Sequence, residues 1–151
     1  MENWQRLIVI IWGIISFALF VKGFKESKDK KNAYGLTPFL LLFGAFVWGD
    51  AVVFGAFWTL VSVVVYFLND WVLFLLIISV FWVVRSIGET IYWFNQQFSK
   101  VNRNPPEKNW MYKYFHNDSV WFIHQIGWQC VTVISIIFSI YFANFWLQQI
   151  N

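Results

Sequence analysis

Four apolar stretches, each long enough to cross a bilayer, constrain this chain more than any other feature. They cover about residues 5–23, 38–68, 71–97 and 118–147, and a membrane crossing needs only about 20 helical residues. A soluble domain normally carries about a quarter of its residues charged. This one carries 13%, with 59% hydrophobic and 23% aromatic residues, eleven Trp among them. The surplus calls for an apolar solvent, and backbone inside such a solvent must satisfy its own hydrogen bonds, which favours helices. The expectation is an all-α integral membrane protein, a four-transmembrane-helix bundle in a single membrane domain over residues 1–151.

Charge placement orients the bundle. Nine of the eleven Lys and Arg fall in two loops, 22–36 and 99–116, and only Arg6 and Arg85 lie elsewhere. Four spans put both loops on one side, and the positive-inside rule makes that side cytoplasmic. The Asn69-Asp70 turn and both termini then face outward, as in a bacterial inner (plasma) membrane. No small-residue cleavage pattern follows the first run, and its positive cluster comes after it, so the run reads as a retained anchor. Asn117-Asp118-Ser119 matches a glycosylation sequon, but this orientation turns it to the cytoplasm. Thr37-Pro38 reads as a helix start, with a hydroxyl N-cap and Pro at the first position. Asn104-Pro105-Pro106 breaks the second basic loop.

Within the second run, WGDAVVFGAFW carries one carboxylate, Asp50. Counting inward from the outer turn at ~1.5 Å per residue places Asp50 ~30 Å deep, at the cytoplasmic boundary. The same count puts Glu89 at ~28 Å and Arg85 at ~22 Å, one helical turn nearer the centre. His124 and Gln129 of the fourth run reach comparable depth. Asp50, Arg85, Glu89, His124 and Gln129 are therefore expected to form one polar layer near the inner face. Charges near hydrocarbon cost several kcal/mol unless paired, so Asp50 and Glu89 are expected to share the Arg85 guanidinium. The second run is too long for one upright span. The reading is a continuous or gently kinked helix projecting inward, with a break at Gly49-Asp50 as the alternative. Small and hydroxyl residues (Gly44, Ala51, Gly55, Thr59 and Ser62) recur at helical spacing along it, which suits close helix packing.

These candidates support three functions, the first favoured over the second because Arg85 and two acids exceed what helix packing alone requires. A polar layer of ionisable residues inside a membrane suits a transporter or channel-like component, with those five residues binding a substrate or ion. Small size and many exposed aromatics suit a non-catalytic accessory or scaffold subunit of a membrane complex. An interfacial enzyme using His124 with Asp50 or Glu89 ranks last, because no catalytic motif is present. His116 and His124 lack metal-ligand spacing with a nearby carboxylate, and Cys130 has no partner cysteine. No cofactor or metal is expected. The expected partners are the lipid bilayer and a second copy or another membrane protein, not nucleic acid, since topology already explains the basic residues.

Overall fold

The computed structural model describes residues 1–99, 110–115, 117 and 119–150, without the side chains of Trp110 and Ile150. Lys100, Arg103, Asn104-Pro105-Pro106, Glu107, Lys108, His116 and Asp118 of the sequence reading lie outside the described residues. The described chain is helical: α1 (Asn3–Lys28), a 3-10 turn (Pro38–Phe43), α2 (Trp48–Leu68), α3 (Trp71–Phe98), a short 3-10 turn (Trp110–Lys113) and α4 (Ser119–Ile150). α1 to α4 are each long and apolar enough to cross a membrane. The chain divides into two compact units, Met1–Leu75 and Leu76–Asn151.

The first unit is built on the α1–α2 pair. Its small residues let the backbones meet. A Cβ added at Gly55 would lie 2.6 Å from the Phe20 amide nitrogen, and one at Gly23 would lie 3.0 Å from the Trp48 carbonyl oxygen. Gly13 faces Ser62 in the same way, with 2.9 Å between its would-be Cβ and that of Ser62. This close approach is the use that small residues find in membrane helices, where dispersion rather than water expulsion drives association. At the far end the α1 N-terminus is tied to the α2–α3 turn. The Met1 ammonium donates to the Asn69 carbonyl at 3.1 Å, and Arg6 Nε donates to Asn69 Oδ1 at 3.0 Å. Asn69 takes the left-handed conformation that ends α2, and Asp70 Oδ1 accepts the Leu73 N–H to start α3.

Between α1 and α2 the chain departs from the expected long helix. Residues 38–68 do not form one rod, and the break comes before Trp48 rather than at Gly49-Asp50. Pro38 has no amide hydrogen and disfavours a helical Thr37, which sits at φ −131°, ψ 56°. The 3-10 turn then ends on Gly44 at φ 71°, a conformation that glycine adopts without a Cβ penalty. The two flanks pair like a hairpin. Gly49 N–H donates to Ala33 O (2.8 Å), Trp48 N–H to Gly35 O (3.1 Å) and Thr37 N–H to Phe46 O (2.7 Å).

The tip of this hairpin folds back alongside α2. Trp58 Nε1 donates to the Phe43 carbonyl at 3.2 Å, and Trp58 is the eleventh of the 21 residues of α2. Ten residues, ~15 Å of rise, separate Trp48 from Trp58. The Phe43 ring packs on Trp12 with centroids 4.5 Å apart, and Trp12 also meets Trp58 at 5.6 Å and Phe74 at 6.1 Å. The hairpin therefore reaches about the midpoint of α2. Leu40, Phe43, Gly44 and Ala45 are buried, whereas Phe39, Leu41 and Leu42 are exposed. Relieved of residues 38–47, α2 is about 31 Å long, close to one hydrocarbon thickness.

In the second unit α3 and α4 run antiparallel, joined by side chains. Gln97 Nε2 donates to Gln125 Oε1 at 2.6 Å, and Thr132 Oγ1 donates to Ser86 Oγ at 2.8 Å. Trp82 stacks on Trp128 between planes only 11° apart. Most of α4 beyond this contact is exposed and apolar, as at Ile137, Ile140 and Tyr141.

Candidate functional site

Asp50 occupies the third position of α2 and has an immediate task. Its Oδ2 accepts the Phe46 N–H at 3.0 Å, across the bend where the hairpin returns to the helix. Phe46 belongs to an irregular segment whose amide has no helical acceptor, so the carboxylate supplies one. The position also suits its charge, because the partial positive end of a helix dipole favours an acid in the first turn. Thr37 serves the same hairpin from its other flank. It is fully buried, and its hydroxyl donates to the Ala45 carbonyl at 3.1 Å. Thr37 therefore supports the hairpin instead of capping a helix through its side chain.

The remaining four candidates lie in the second unit. Arg85 and Glu89, one turn apart on α3, form an ion pair at 2.8 Å with side chains 14% and 12% exposed. Glu89 also accepts the indole N–H of Trp93 at 3.1 Å. Trp93 is the residue that sequence reasoning missed. Its ring stacks on two rings of α4, 4.3 Å from the His124 ring at 17° and 5.6 Å from the Trp121 ring at 20°. Arg85, Glu89, Trp93 and His124 thus form one continuous series from ion pair to indole to imidazole. The available signal was spacing, since 85, 89, 93 and 97 fall on one stripe of a helix and pair at i, i+4. Gln97 extends that stripe to Gln125. Gln129, by contrast, is on an exposed part of α4.

Chemically, this strip can hold charge and hydrogen bonds against an apolar wall. It contains no cluster of three or more metal-ligating side chains among the described residues. The first unit carries a groove of about 390 Å³ between α1 and α2, lined by Val9, Gly13, Phe17, Thr59, Ser62 and Tyr66. Its surface is almost wholly apolar, because the Thr59 and Ser62 hydroxyls turn back to the Gly55 and Trp58 carbonyls. Fold and site together define a chain of four helices apolar enough to cross a membrane, with a folded-back hairpin before the second. Comparison with family models, with curated proteins and with solved structures finds no match.

Proposed function

We propose that the protein is a non-catalytic accessory or scaffold subunit of a membrane complex, spanning a bacterial inner membrane four times with its termini outside. The observation that carries this reading is how the candidate polar groups are used. Asp50 closes the hairpin, Glu89 joins Arg85 to Trp93, and Gln97 joins Gln125 across α3 and α4. Polar side chains committed to local architecture in this way stabilise a platform. In the bilayer the hairpin enters from the basic, cytoplasmic side and ends near the middle of the span. Irregular backbone at that depth requires protein burial or a wet cavity, and the burial of Leu40, Phe43, Gly44 and Ala45 supplies the first. The exposed apolar surface of α4 is available to lipid or to a partner helix.

The test is extraction into native-lipid particles followed by mass measurement of the intact particle. A stoichiometric second membrane protein is the expected outcome. A particle containing this chain alone, with an ion or solute flux that disappears in Glu89→Gln, would overturn the reading. That second outcome defines a transporter or channel-like component, the reading favoured by one specific observation. The Arg85–Glu89 pair is an expensive feature for an apolar helix, and intramembrane ion pairs commonly mark transport pathways.

A further inference from the structure

The first unit carries a second feature, at the end where α1 stops and the hairpin begins. Lys22 Nζ stands 5.0 Å from the centroid of the Trp48 ring, and the Trp48 ring meets the Phe39 ring edge-on at 6.1 Å. Ammonium, indole and phenyl thus follow one another from the basic loop onto the face of the hairpin. Lys25 and Lys28 continue the positive charge along α1, and Lys28 Nζ lies over the Phe24 ring at 5.4 Å. Lys30 is already engaged by Glu26 at 2.7 Å. The hairpin itself leaves apolar side chains exposed: Phe39 is 67% exposed and Leu42 69%.

We propose that this face is a binding site for an anionic diacyl phospholipid. The phosphate sits at the Lys22 ammonium above Trp48, and an acyl chain lies along Phe39 and Leu42. The chemistry of the two halves selects this occupant. A soluble phosphate would use the cations and leave the hairpin surface idle. A neutral lipid would use the hairpin and bring no anion to Lys22, whose nearby Glu26 is already paired with Lys30. Juxtamembrane lysines attract anionic headgroups in general, but this site differs from diffuse attraction because one lysine is held over an aromatic platform that also touches the apolar wall. The inference needs only that the chain lies in a bilayer. It stands whether the protein is an accessory subunit or a transporter.

The experiment uses the full chain in a neutral detergent, titrated with phosphatidylglycerol, phosphatidylcholine or soluble glycerol phosphate while thermal unfolding is followed. Phosphatidylglycerol should raise Tm, and phosphatidylcholine and glycerol phosphate should not. Lys22→Gln is an exposed change that keeps the fold, and it should weaken the phosphatidylglycerol effect about five-fold in half-maximal concentration. Phe39→Ser should weaken it too, with no change in the response to glycerol phosphate. Lys31→Gln, outside the platform, should change it by less than about two-fold. An equal loss with Lys31→Gln would mean diffuse attraction and overturn the site. An equal Tm rise with glycerol phosphate would replace the lipid by a soluble anion and overturn the site.

Discussion

Gly55→Ala tests the architecture of the first unit most directly. The added methyl would lie 2.6 Å from Phe20 N, 2.9 Å from Phe20 Cα and 2.9 Å from Ser16 O. All three atoms are backbone, so no side chain can swing away. Ordinary contact begins near 3.4 Å, and α1 must therefore retreat by about 0.8 Å (3.4 − 2.6) or α2 must bend. Overpacking of this kind costs about 1–3 kcal/mol. The retreat also pulls on Trp12, which packs on Phe43 and Trp58, so the hairpin loosens with the helix pair. At about 2–4 °C per kcal/mol for a chain of this size, Tm in mild detergent should fall by roughly 2–12 °C. Tryptophan fluorescence should change in the same transition. Gly88→Ala is the internal control, because a Cβ at Gly88 meets nothing within 4 Å. There alanine's better helix propensity should leave stability unchanged or raise it by up to ~1 kcal/mol. If the two variants have the same Tm, the close α1–α2 approach is wrong.

Asp50→Ala should cost about 1–2 kcal/mol, because it strips the acceptor from the Phe46 amide, whereas Asp50→Asn keeps an oxygen there and should cost less. Chemical denaturation of the pair measures the difference, and equal losses would show that charge rather than acceptance matters. Glu89→Leu should cost about 3–5 kcal/mol by breaking the ion pair, and adding Arg85→Met should recover most of it. A double variant no more stable than the single one would refute the pairing argument. Trp58→Phe removes the donor to the Phe43 carbonyl and should cost about 1–3 kcal/mol. Faster hydrogen exchange at the Gly44 and Ala45 amides would report the loosened tip, and unchanged exchange would remove Trp58 as its clasp.

The hairpin changes what the polar residues of the second run mean. A helix satisfies its own backbone, so an acid inside one would need an outside reason. A hairpin beside a helix leaves amides without helical acceptors, and each must be met locally. Phe46 is met by Asp50, Thr37 by the Phe46 carbonyl, and Ala45 by the Leu40 carbonyl. Two carbonyls that point inward are met by the Thr37 hydroxyl and the Trp58 indole. The acid, the threonine and the tryptophan are therefore one solution to one accounting problem. This is why Asp50 belongs at the third position of α2 rather than elsewhere along it.

Hydropathy could locate the four apolar helices, and helical spacing could pick out Ala51, Gly55 and Ser62 as a packing face, because both signals are local and periodic. PFLLLFGAF was invisible to the same method. An apolar 3-10 hairpin and an apolar helix bury the same kinds of side chain, and mean hydropathy cannot tell them apart. Two weaker signs were present: Thr37-Pro38 restricts the backbone before the turn, and Gly44 offers the left-handed exit. Counting from the Asn69-Asp70 turn at helical rise suits Asp50, because residues 50–68 are helical throughout. Depth says nothing about azimuth, however. Gln129 was counted into the same layer as His124 yet lies on an exposed part of α4, while Gln125, one turn earlier, meets Gln97. Trp93 escaped notice for a related reason: tryptophan in a membrane chain reads first as an interfacial anchor. Only its placement four residues after Glu89, with its N–H returned to that carboxylate, shows it working as a polar residue.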